Sequence, residues 1–313
     1  MSLALRWAEV FGLLPIHTRL QQAQIALMGQ PYVPSSKIGL SSLKLLHPTI
    51  SVALWRGRQP IPQKVIITNL FNHQQTPIEQ GWSVKKTQVQ DFRGRDLTYD
   101  SHNGTDLCIP IGTQILAPAT GRVVRVHSEF NRGGLKIYLD HGTGLMTSFA
   151  HLARALVTEG QIVSRGQPIA LSGYSGLDGF TTFPWGVPHT HFNTWLNGSP
   201  VDPFSTTTPL WRGGIPTPLR RGAPAEPFRP AVFDEPATRR AIVSCRDPDV
   251  RTRLAKISAL EDRAPQVVIE QNYYPTRFTQ RISVYSKLSP RLPVLSLPFH
   301  AEDYDGVVFF DEV

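Results

Sequence analysis

The sequence predicts a mainly β protein, in which a compact antiparallel β-sheet domain carries N-terminal and C-terminal extensions that contain some helix. Between residues 91 and 204, glycines separate short β-prone runs such as "GRVVRVHSEF", "LKIYLDHG" and "LMTSFAHL". No long helical pattern interrupts this stretch, and helical patterns occur only nearer the two ends of the chain. The chain therefore divides into an N-terminal extension (1–90), a β domain (91–204) and a C-terminal extension (205–313).

The N-terminal extension is predicted to contain an amphipathic helix and short strands. Its apolar residues at i, i+3, i+4 and i+7 are Trp7, Val10, Phe11 and Leu14. Pro15 follows directly and predicts the end of this helix. The run "KVIITNLF", residues 64–71, is rich in β-branched residues and predicts a strand.

The C-terminal extension begins with a segment rich in proline and arginine, "PLWRGGIPTPLRRGAPAEPFRP", at residues 209–230. This composition predicts a linker or an extended arm that lies on a neighbouring part of the protein. A helix is predicted further on, because Val250, Leu254, Ile257 and Leu260 share one helical face.

The composition excludes some classes of protein. Of the 313 residues, 41% are hydrophobic and 18% charged, which is typical of a globular chain and not of a disordered one. The net charge of +8 suits an anionic partner such as a nucleic acid, a membrane surface or a bacterial wall polymer. The basic residues are spread out and lack interleaved aromatic residues, so we expect no nucleic-acid partner.

The chain has two cysteines, far apart in sequence, which excludes both a disulfide-rich scaffold and a cysteine-based zinc site. A metal would therefore be bound by histidine and carboxylate. No apolar run reaches the length of about 18 residues that a transmembrane helix needs. The first twenty residues make a poor signal peptide, because Arg6 and Glu9 interrupt their apolar stretch.

Histidines and an aspartate recur within the β domain. His189 and His191, in "HTHF", are two residues apart on a predicted strand and so lie on the same face. His102 and Asp106, in "SHNGTD", are four residues apart. One histidine of the pair would join them to give two histidines and one carboxylate. That set leaves a fourth tetrahedral position for water, as catalytic zinc sites do.

Six motifs follow one another through residues 98–204. They are "HNGTD", "GTQILAPATGRVV", "GGLKIYLDHGTGLMTSFAHL", "VTEGQIVSRGQPIALSGYSG", "HTHF" and "NGSPVDPF". In this order they resemble the lysostaphin/LytM-type family of zinc metallopeptidases, which cut peptide bonds in bacterial peptidoglycan. The resemblance covers roughly a third of the chain and does not extend to the two flanks.

The resemblance implies that the chain is a zinc endopeptidase that binds one Zn²⁺ ion and takes peptidoglycan or its peptides as substrate. His102, Asp106 and His191 would be the zinc ligands. His151, in "SFAHL", and His189 would act on the catalytic water and the transition state. Members of this family usually work in the periplasm or outside the cell, but no clear signal peptide is visible, so the compartment stays open.

Four features depart from the family pattern. Phe149 stands where a tyrosine is usual, Thr190 where leucine is usual, and Asn193 where glutamate is usual. The segment at residues 177–188 is longer and more aromatic than the family's link. We expect its aromatic residues Phe180, Phe183 and Trp185 to line or narrow the groove, and so to influence which substrate is cut.

Three other functions are compatible with parts of the sequence. "LAPATGRVV" and "VTEGQIVSRGQPIAL" resemble strands of lipoyl- or biotinyl-carrier modules, and Lys136 would then be the attachment site. A metal-free LytM-type module would bind wall material or activate an amidase without cutting. A metallopeptidase of this kind could also act on peptides other than those of the wall.

Overall fold

The computed structural model describes residues 4–205, 209–222 and 226–313. Short helices lie near both ends of the chain. In the described part they are α1 (Trp7–Val10), α2 (Ile16–Met28), α3 (Pro48–Trp55), α4 (Leu177–Thr182), α5 (Glu235–Val243), α6 (Pro248–Ala255) and α7 (Leu260–Tyr273). Two of them begin at strong capping signals: Asp234 and Asp247 accept hydrogen bonds from the first-turn backbone, and each is followed by a proline within two residues.

The strands lie mostly between the two groups of helices. They are β1 (Ser36–Lys37), β2 (Lys64–Asn69), β3 (Trp82–Ser83), β4 (Thr105–Cys108), β5 (Gln114–Leu116), β6 (Gly121–Glu129), β7 (Gly134–Asp140), β8 (Leu145–Ala155), β9 (Ile162–Val163), β10 (Pro168–Ser172), β11 (His189–Leu196), β12 (Ser199–Pro200), β13 (Pro218–Leu219), β14 (Leu297–His300) and β15 (Gly306–Phe309).

Eleven of these strands form one sheet. Its main order is β15-β2-β4-β11-β8-β7-β6-β9, while β10 pairs with β5 and β8, and β12 pairs with β11. All of the pairs between β4 and β12 are antiparallel, which confirms the predicted mainly β fold with an antiparallel central domain.

Strands from both extensions lengthen this sheet at one edge. β2 pairs with β4 in antiparallel orientation, and β15 then pairs with β2 in parallel orientation, so the complete sheet is mixed. The strand predicted at residues 64–71 is thus present as β2. The division of the chain at residues 90 and 204 stays a prediction, and both flanks contribute to the hydrogen bonding of the central sheet.

Two hydrophobic clusters hold these parts together. The larger one lies within the sheet domain and includes Phe149, Phe192 and Trp211. The second packs helices α5–α7 against the sheet through Tyr138, Trp195 and Val268. Because burial of apolar area drives folding, the C-terminal helices are an integral layer of the structure.

The predicted terminal helices differ from those observed. The first ends at Val10, since Gly12 adopts a positive φ of 67°, and Pro15 precedes a second helix, α2, that the sequence pattern did not predict. The helix predicted from Val250 to Leu260 ends at Ala255, and Leu260 begins the next helix.

In the segment at residues 209–230, residues 218–219 form β13, and residues 223–225 lie outside the described residues. That the segment is a linker or an extended arm stays a prediction. Trp211 is buried in the main core, and Glu226 forms an ion pair with Arg165. Within the described residues, no helix has both the length and the apolar character required to cross a membrane.

Candidate functional site

Strand pairing brings the motifs of the central domain together. β11 lies between β4 and β8, and its register places His191 opposite Asp106 on one side and Ala150 on the other. His102 lies in the turn before β4. Residues that are 85 positions apart in sequence therefore become neighbours on one face of the sheet.

His102, Asp106 and His191 form a compact cluster, in which one ligand atom from each residue lies within 4.8 Å of the others. The Asp106 Oδ1 atom is 2.8 Å from His191 Nδ1 and 3.1 Å from His102 Nε2, and the two ring nitrogens are 3.1 Å apart. Two imidazoles and one carboxylate that converge on one point are a donor set that suits zinc.

Strand β2 of the N-terminal extension and the residue directly after it, Leu70, fix two of these side chains. His102 Nδ1 donates a hydrogen bond to the Leu70 carbonyl at 2.6 Å, so its Nε2 lone pair faces the cluster. Asn69 Nδ2 donates to Asp106 Oδ2 at 2.9 Å and leaves Oδ1 facing the two histidines. Such outer hydrogen bonds orient metal ligands. The role of Asn69 could not be recognised from the sequence, since this residue lies in none of the motifs.

Burial and mutual charge set the protonation of the cluster. Burial disfavours the charged form of Asp106, but His102, His189 and His191 outweigh this effect and hold its pKa well below the usual value. Burial also lowers the pKa of His191 to about 4, against the opposing effect of Asp106. The cluster is therefore ready to bind a cation at neutral pH, because Asp106 is ionised and His191 is neutral.

Gly104, inside the motif "HNGTD", is required for this packing. A Cβ atom at this position would lie 2.7 Å from His191 Nε2, from Asn193 Nδ2 and from the Phe192 carbonyl oxygen. Any side chain at residue 104 would thus push His191 out of place.

His151 and His189 lie beside the cluster, and their ring centroids are 4.7 Å apart. Both rings are anchored in the same way: His151 Nδ1 donates to the Ser175 carbonyl at 2.9 Å, and His189 Nδ1 donates to the Val187 carbonyl at 2.7 Å. Each Nε2 atom is thereby left with a lone pair. Burial lowers the pKa of His189, with Asp106 opposing, so this imidazole is neutral at pH 7.

The backbone at His151 is unusual, because this non-glycine residue has a φ of 61°. Its N–H donates to the Gly133 carbonyl at 2.7 Å. Its Nε2 atom lies 3.5 Å from Asp178 Oδ2, on the first turn of α4. Strained backbone of this kind is concentrated at functional sites.

A cavity of about 190 Å³ opens above His151 and His191. One wall comes from the N-terminal extension and includes Leu27, Ile38 and Trp82, while Tyr273 of α7 is part of the opposite side. Both extensions therefore shape the space next to the cluster. This contribution was not predicted, since the flanks have no recognisable motif.

The aromatic residues of the 177–188 segment are placed differently from the prediction. The described cavity lining includes Leu177, Asp178 and Thr181 of α4, but not Phe180, Phe183 or Trp185. Phe183 packs instead on Trp55 and Phe11, with ring centroids 5.0 and 5.6 Å apart. The expectation that these rings line the groove is wrong, and for Phe180 and Phe183 the reason is that Phe11 and Trp55 of the N-terminal helices supply aromatic partners.

Two of the departures from the family pattern have a structural explanation. Phe149 is fully buried against Phe192 and does not line the cavity. Asn193 Nδ2 lies 3.1 Å from His191 Nε2, and Asn193 Oδ1 accepts hydrogen bonds from Ser148 and Tyr273. Helix α7 is thus connected through Tyr273 and Asn193 to a residue of the cluster.

Lys136 has no free ammonium group for attachment of a cofactor. Its side chain is completely buried, and Nζ donates to Glu129 Oε2 at 2.6 Å and to the Arg132 carbonyl at 2.7 Å. A carrier module requires a lysine exposed at a hairpin tip, so the structure argues against that alternative.

The family model described as Peptidase family M23 matches residues 100–203. Among curated relatives, the peptidoglycan DD-endopeptidase ShyA of Vibrio cholerae is 37% identical over 110 residues, which cover 35% of this chain and 24% of that protein. The DD-carboxypeptidase/endopeptidase Mpg of Neisseria meningitidis is 32% identical over 112 residues, 36% of this chain and 24% of the relative. The chain thus spans about a quarter of the length of these relatives.

Solved structures give similar partial matches. The catalytic domain of lysostaphin from Staphylococcus simulans aligns over 33% of this chain and 77% of that domain, with 29% identity and a TM-score of 0.29. A zinc-containing peptidase from Vibrio cholerae aligns over 45% of this chain and 38% of its own, with 28% identity and a TM-score of 0.33.

Proposed function

Because residues 100–203 form a peptidase family M23 domain, we propose that this protein is a zinc-dependent endopeptidase that hydrolyses peptide bonds in bacterial peptidoglycan. The observation that carries the proposal is the convergence of His102, Asp106 and His191, whose ligand atoms lie within 4.8 Å of one another. Burial of two imidazoles and an ionised carboxylate at one point is costly, and a bound cation would compensate the negative charge of Asp106 there.

His102 would hold the zinc ion through Nε2, His191 through Nδ1 and Asp106 through Oδ1, because these atoms face one another. When bound, zinc polarises the carbonyl of the scissile bond and makes water a nucleophile at neutral pH. Asn69 and the Leu70 carbonyl keep Asp106 and His102 in place, so little reorganisation accompanies binding of the ion.

His151 and His189 would carry the proton transfers. The carbonyls of Ser175 and Val187 hold their ring protons on Nδ1, so each Nε2 can accept a proton from water or return it to the leaving amine. Asp178, close to His151 Nε2, would stabilise the protonated form of that ring. The lowered pKa of His189 keeps this residue in its basic form at the start of the reaction.

The substrate is proposed from the matched relatives, two of which are named for peptidoglycan endopeptidase or carboxypeptidase activity. A cavity of about 190 Å³ accommodates a few residues of a short peptide and not a folded protein.

The test is to incubate the purified, zinc-loaded full chain with peptidoglycan and to identify soluble products by mass spectrometry. We expect peptides cut at a single type of bond, no release after treatment with a chelator, and recovery when zinc is restored. Intact peptidoglycan after incubation with folded, zinc-loaded protein would contradict the proposal and favour the non-catalytic module. Hydrolysis of unrelated peptides without hydrolysis of peptidoglycan would favour a different substrate.

A further inference from the structure

Arg132 lies at the tip of the hairpin between β6 and β7, beside the candidate site. Its backbone N–H donates to the Glu129 carbonyl at 3.3 Å, and its own carbonyl accepts from Lys136 Nζ. The carbonyl of the next residue, Gly133, accepts a hydrogen bond from the backbone N–H of His151. The backbone of Arg132 is thus fixed close to the proposed catalytic histidine.

The guanidinium group of Arg132 is held by aromatic rings. Its central carbon lies 3.3 Å from the centre of the Trp82 ring and 5.4 Å from that of Tyr274. Stacking on an aromatic face restricts the orientation of a guanidinium group and leaves its edge free for hydrogen bonds. Trp82 belongs to the N-terminal extension and Tyr274 to the C-terminal extension, so both flanks position this group.

No carboxylate forms an ion pair with Arg132 in the ranges that the structure describes, although the charge of Glu129 acts on it from nearby. The Nε and Nη1 atoms are buried and have no hydrogen-bond partner there. The nearby acids are engaged elsewhere, since Glu129 pairs with Lys136 and Asp178 lies against His151. Burial lowers the pKa of Arg132 to about 9, which still leaves it protonated at neutral pH. Unpaired buried charges are rare and call for a partner.

Arg132 is also the only arginine or lysine among the described residues that line the cavity, and it shares that lining with His151 and His191. A planar guanidinium group binds a carboxylate through two parallel hydrogen bonds. We propose that Arg132 is an anion subsite, which binds a carboxylate of the peptide substrate while the adjacent peptide bond lies at His102, Asp106 and His191. This inference rests on the proposed peptidase function and specifies the substrate.

A peptidoglycan stem peptide with lysine as its third residue offers two sources for such a carboxylate: its C-terminal D-alanine and the α-carboxylate of its γ-linked D-glutamate. The guanidinium group of Arg132 could bind either carboxylate. The competing explanation is that Arg132 only joins Trp82 to Tyr274 as a structural contact. The two explanations differ in whether binding depends on the negative charge of the ligand.

The experiment measures binding by calorimetry to the full chain after removal of metal, so that no ligand carboxylate can bind zinc and no ligand is cut. The ligands are L-Ala-γ-D-Glu-L-Lys-D-Ala-D-Ala, its C-terminal amide, its D-isoglutamine form and the doubly amidated form. They are tested on the wild type, on Arg132→Gln and on Arg246→Gln. Arg246 is a suitable control because it packs near the ring of Tyr32 and does not line the cavity.

We expect one of the two single amidations to weaken binding to the wild type about tenfold or more, which identifies the carboxylate. In Arg132→Gln the acid and that amide should bind within about twofold of each other, while Arg246→Gln should behave as wild type. If the wild type bound all four ligands equally, or bound none of them, the inference would be overturned. This outcome depends on the wild type alone and not on whether the variants fold.

The inference would also be overturned if Arg132→Gln, at an unchanged melting temperature, weakened the binding of the acid and of the amide by the same factor relative to the wild type. That result would favour the structural contact. Hydrolysis is assayed separately with the zinc-loaded wild type. Charge-dependent binding without hydrolysis would refute the proposed peptidase function and leave the anion subsite intact.

Discussion

The two sides of the cavity are built in opposite ways. The floor consists of His102, Asp106, His151, His189 and His191, and one ring nitrogen of His102, of His151 and of His189 is bound by a backbone carbonyl. The wall consists of Arg132 and Trp82, and the Nε and Nη1 atoms of Arg132 have no hydrogen-bond partner among the described residues. The difference teaches that the floor is organised by the protein itself, whereas the proposed anion subsite of the wall needs a ligand to complete it.

The largest effect should follow removal of the central carboxylate of the floor. In Asp106→Ala we expect complete loss of both zinc and peptidase activity. The Oδ1 atom of Asp106 faces both histidines, and its carboxylate supplies the negative charge of the cluster. Elemental analysis and a hydrolysis assay measure the two quantities. The exposed acid Asp303 provides the control, and Asp303→Ala should retain both. Full zinc content in Asp106→Ala would show that another set of residues binds the metal.

A large but separable effect is expected for the histidines next to the cluster. His151→Ala and His189→Ala should each lower kcat about 10²- to 10⁴-fold and keep about one zinc per chain, since they act on protons and do not hold the ion. The exposed His127 serves as control, and His127→Ala should leave kcat unchanged. If His189→Ala lost zinc as completely as Asp106→Ala, the roles given to His189 and His191 would be reversed.

An intermediate effect should come from the N-terminal extension. Asn69→Ala removes the hydrogen bond to Asp106 Oδ2, and we expect zinc affinity to fall about 10- to 100-fold, as for other outer partners of metal ligands. Competition with a chromogenic chelator measures the affinity. Unchanged affinity would mean that the Asn69 side chain does not orient Asp106 and that the floor does not depend on this hydrogen bond from the extension.

The smallest effect should separate two tyrosines of the C-terminal extension, the partly buried Tyr273 and the buried Tyr285. Tyr273 donates to Asn193, which touches His191, whereas the Tyr285 hydroxyl has no partner among the described residues. Tyr273→Phe should weaken zinc binding a few-fold, because Ser148 still donates to Asn193. Tyr285→Phe should leave it unchanged. Equal affinities in both variants would show that α7 does not influence the cluster.

Part of the floor could be predicted from the spacing of its residues, whereas the choice of His191 as the third ligand and the roles of His151 and His189 rest on the family resemblance and stay predictions. His102 and Asp106 are four residues apart, and His189 and His191 are two apart on a strand, so local geometry already restricts where their side chains point. The strand predicted over residues 64–71 could also be recognised locally, from its run of β-branched residues.

The contacts of the floor with the two extensions, and those of the wall, could not be predicted in this way. Asn69 meets Asp106 only through the pairing of β2 with β4, and Trp82 meets Arg132 across 50 residues of chain. Such contacts depend on the packing of the whole molecule, and no local pattern encodes them. The aromatic residues of the 177–188 segment could not be placed from the sequence for the same reason. Phe183 packs on Trp55 and Phe11, which are distant in sequence.

The central claim is that the floor binds one zinc ion through His102, Asp106 and His191, and X-ray absorption spectroscopy of the zinc-loaded full chain tests it most directly. The account predicts about one zinc per chain, with two imidazole nitrogens and light oxygen ligands at about 2.0–2.2 Å. The spectrum should change in Asp106→Ala and stay the same in His189→Ala. A first coordination shell of three or four imidazoles, or folded protein that binds no zinc, would contradict it.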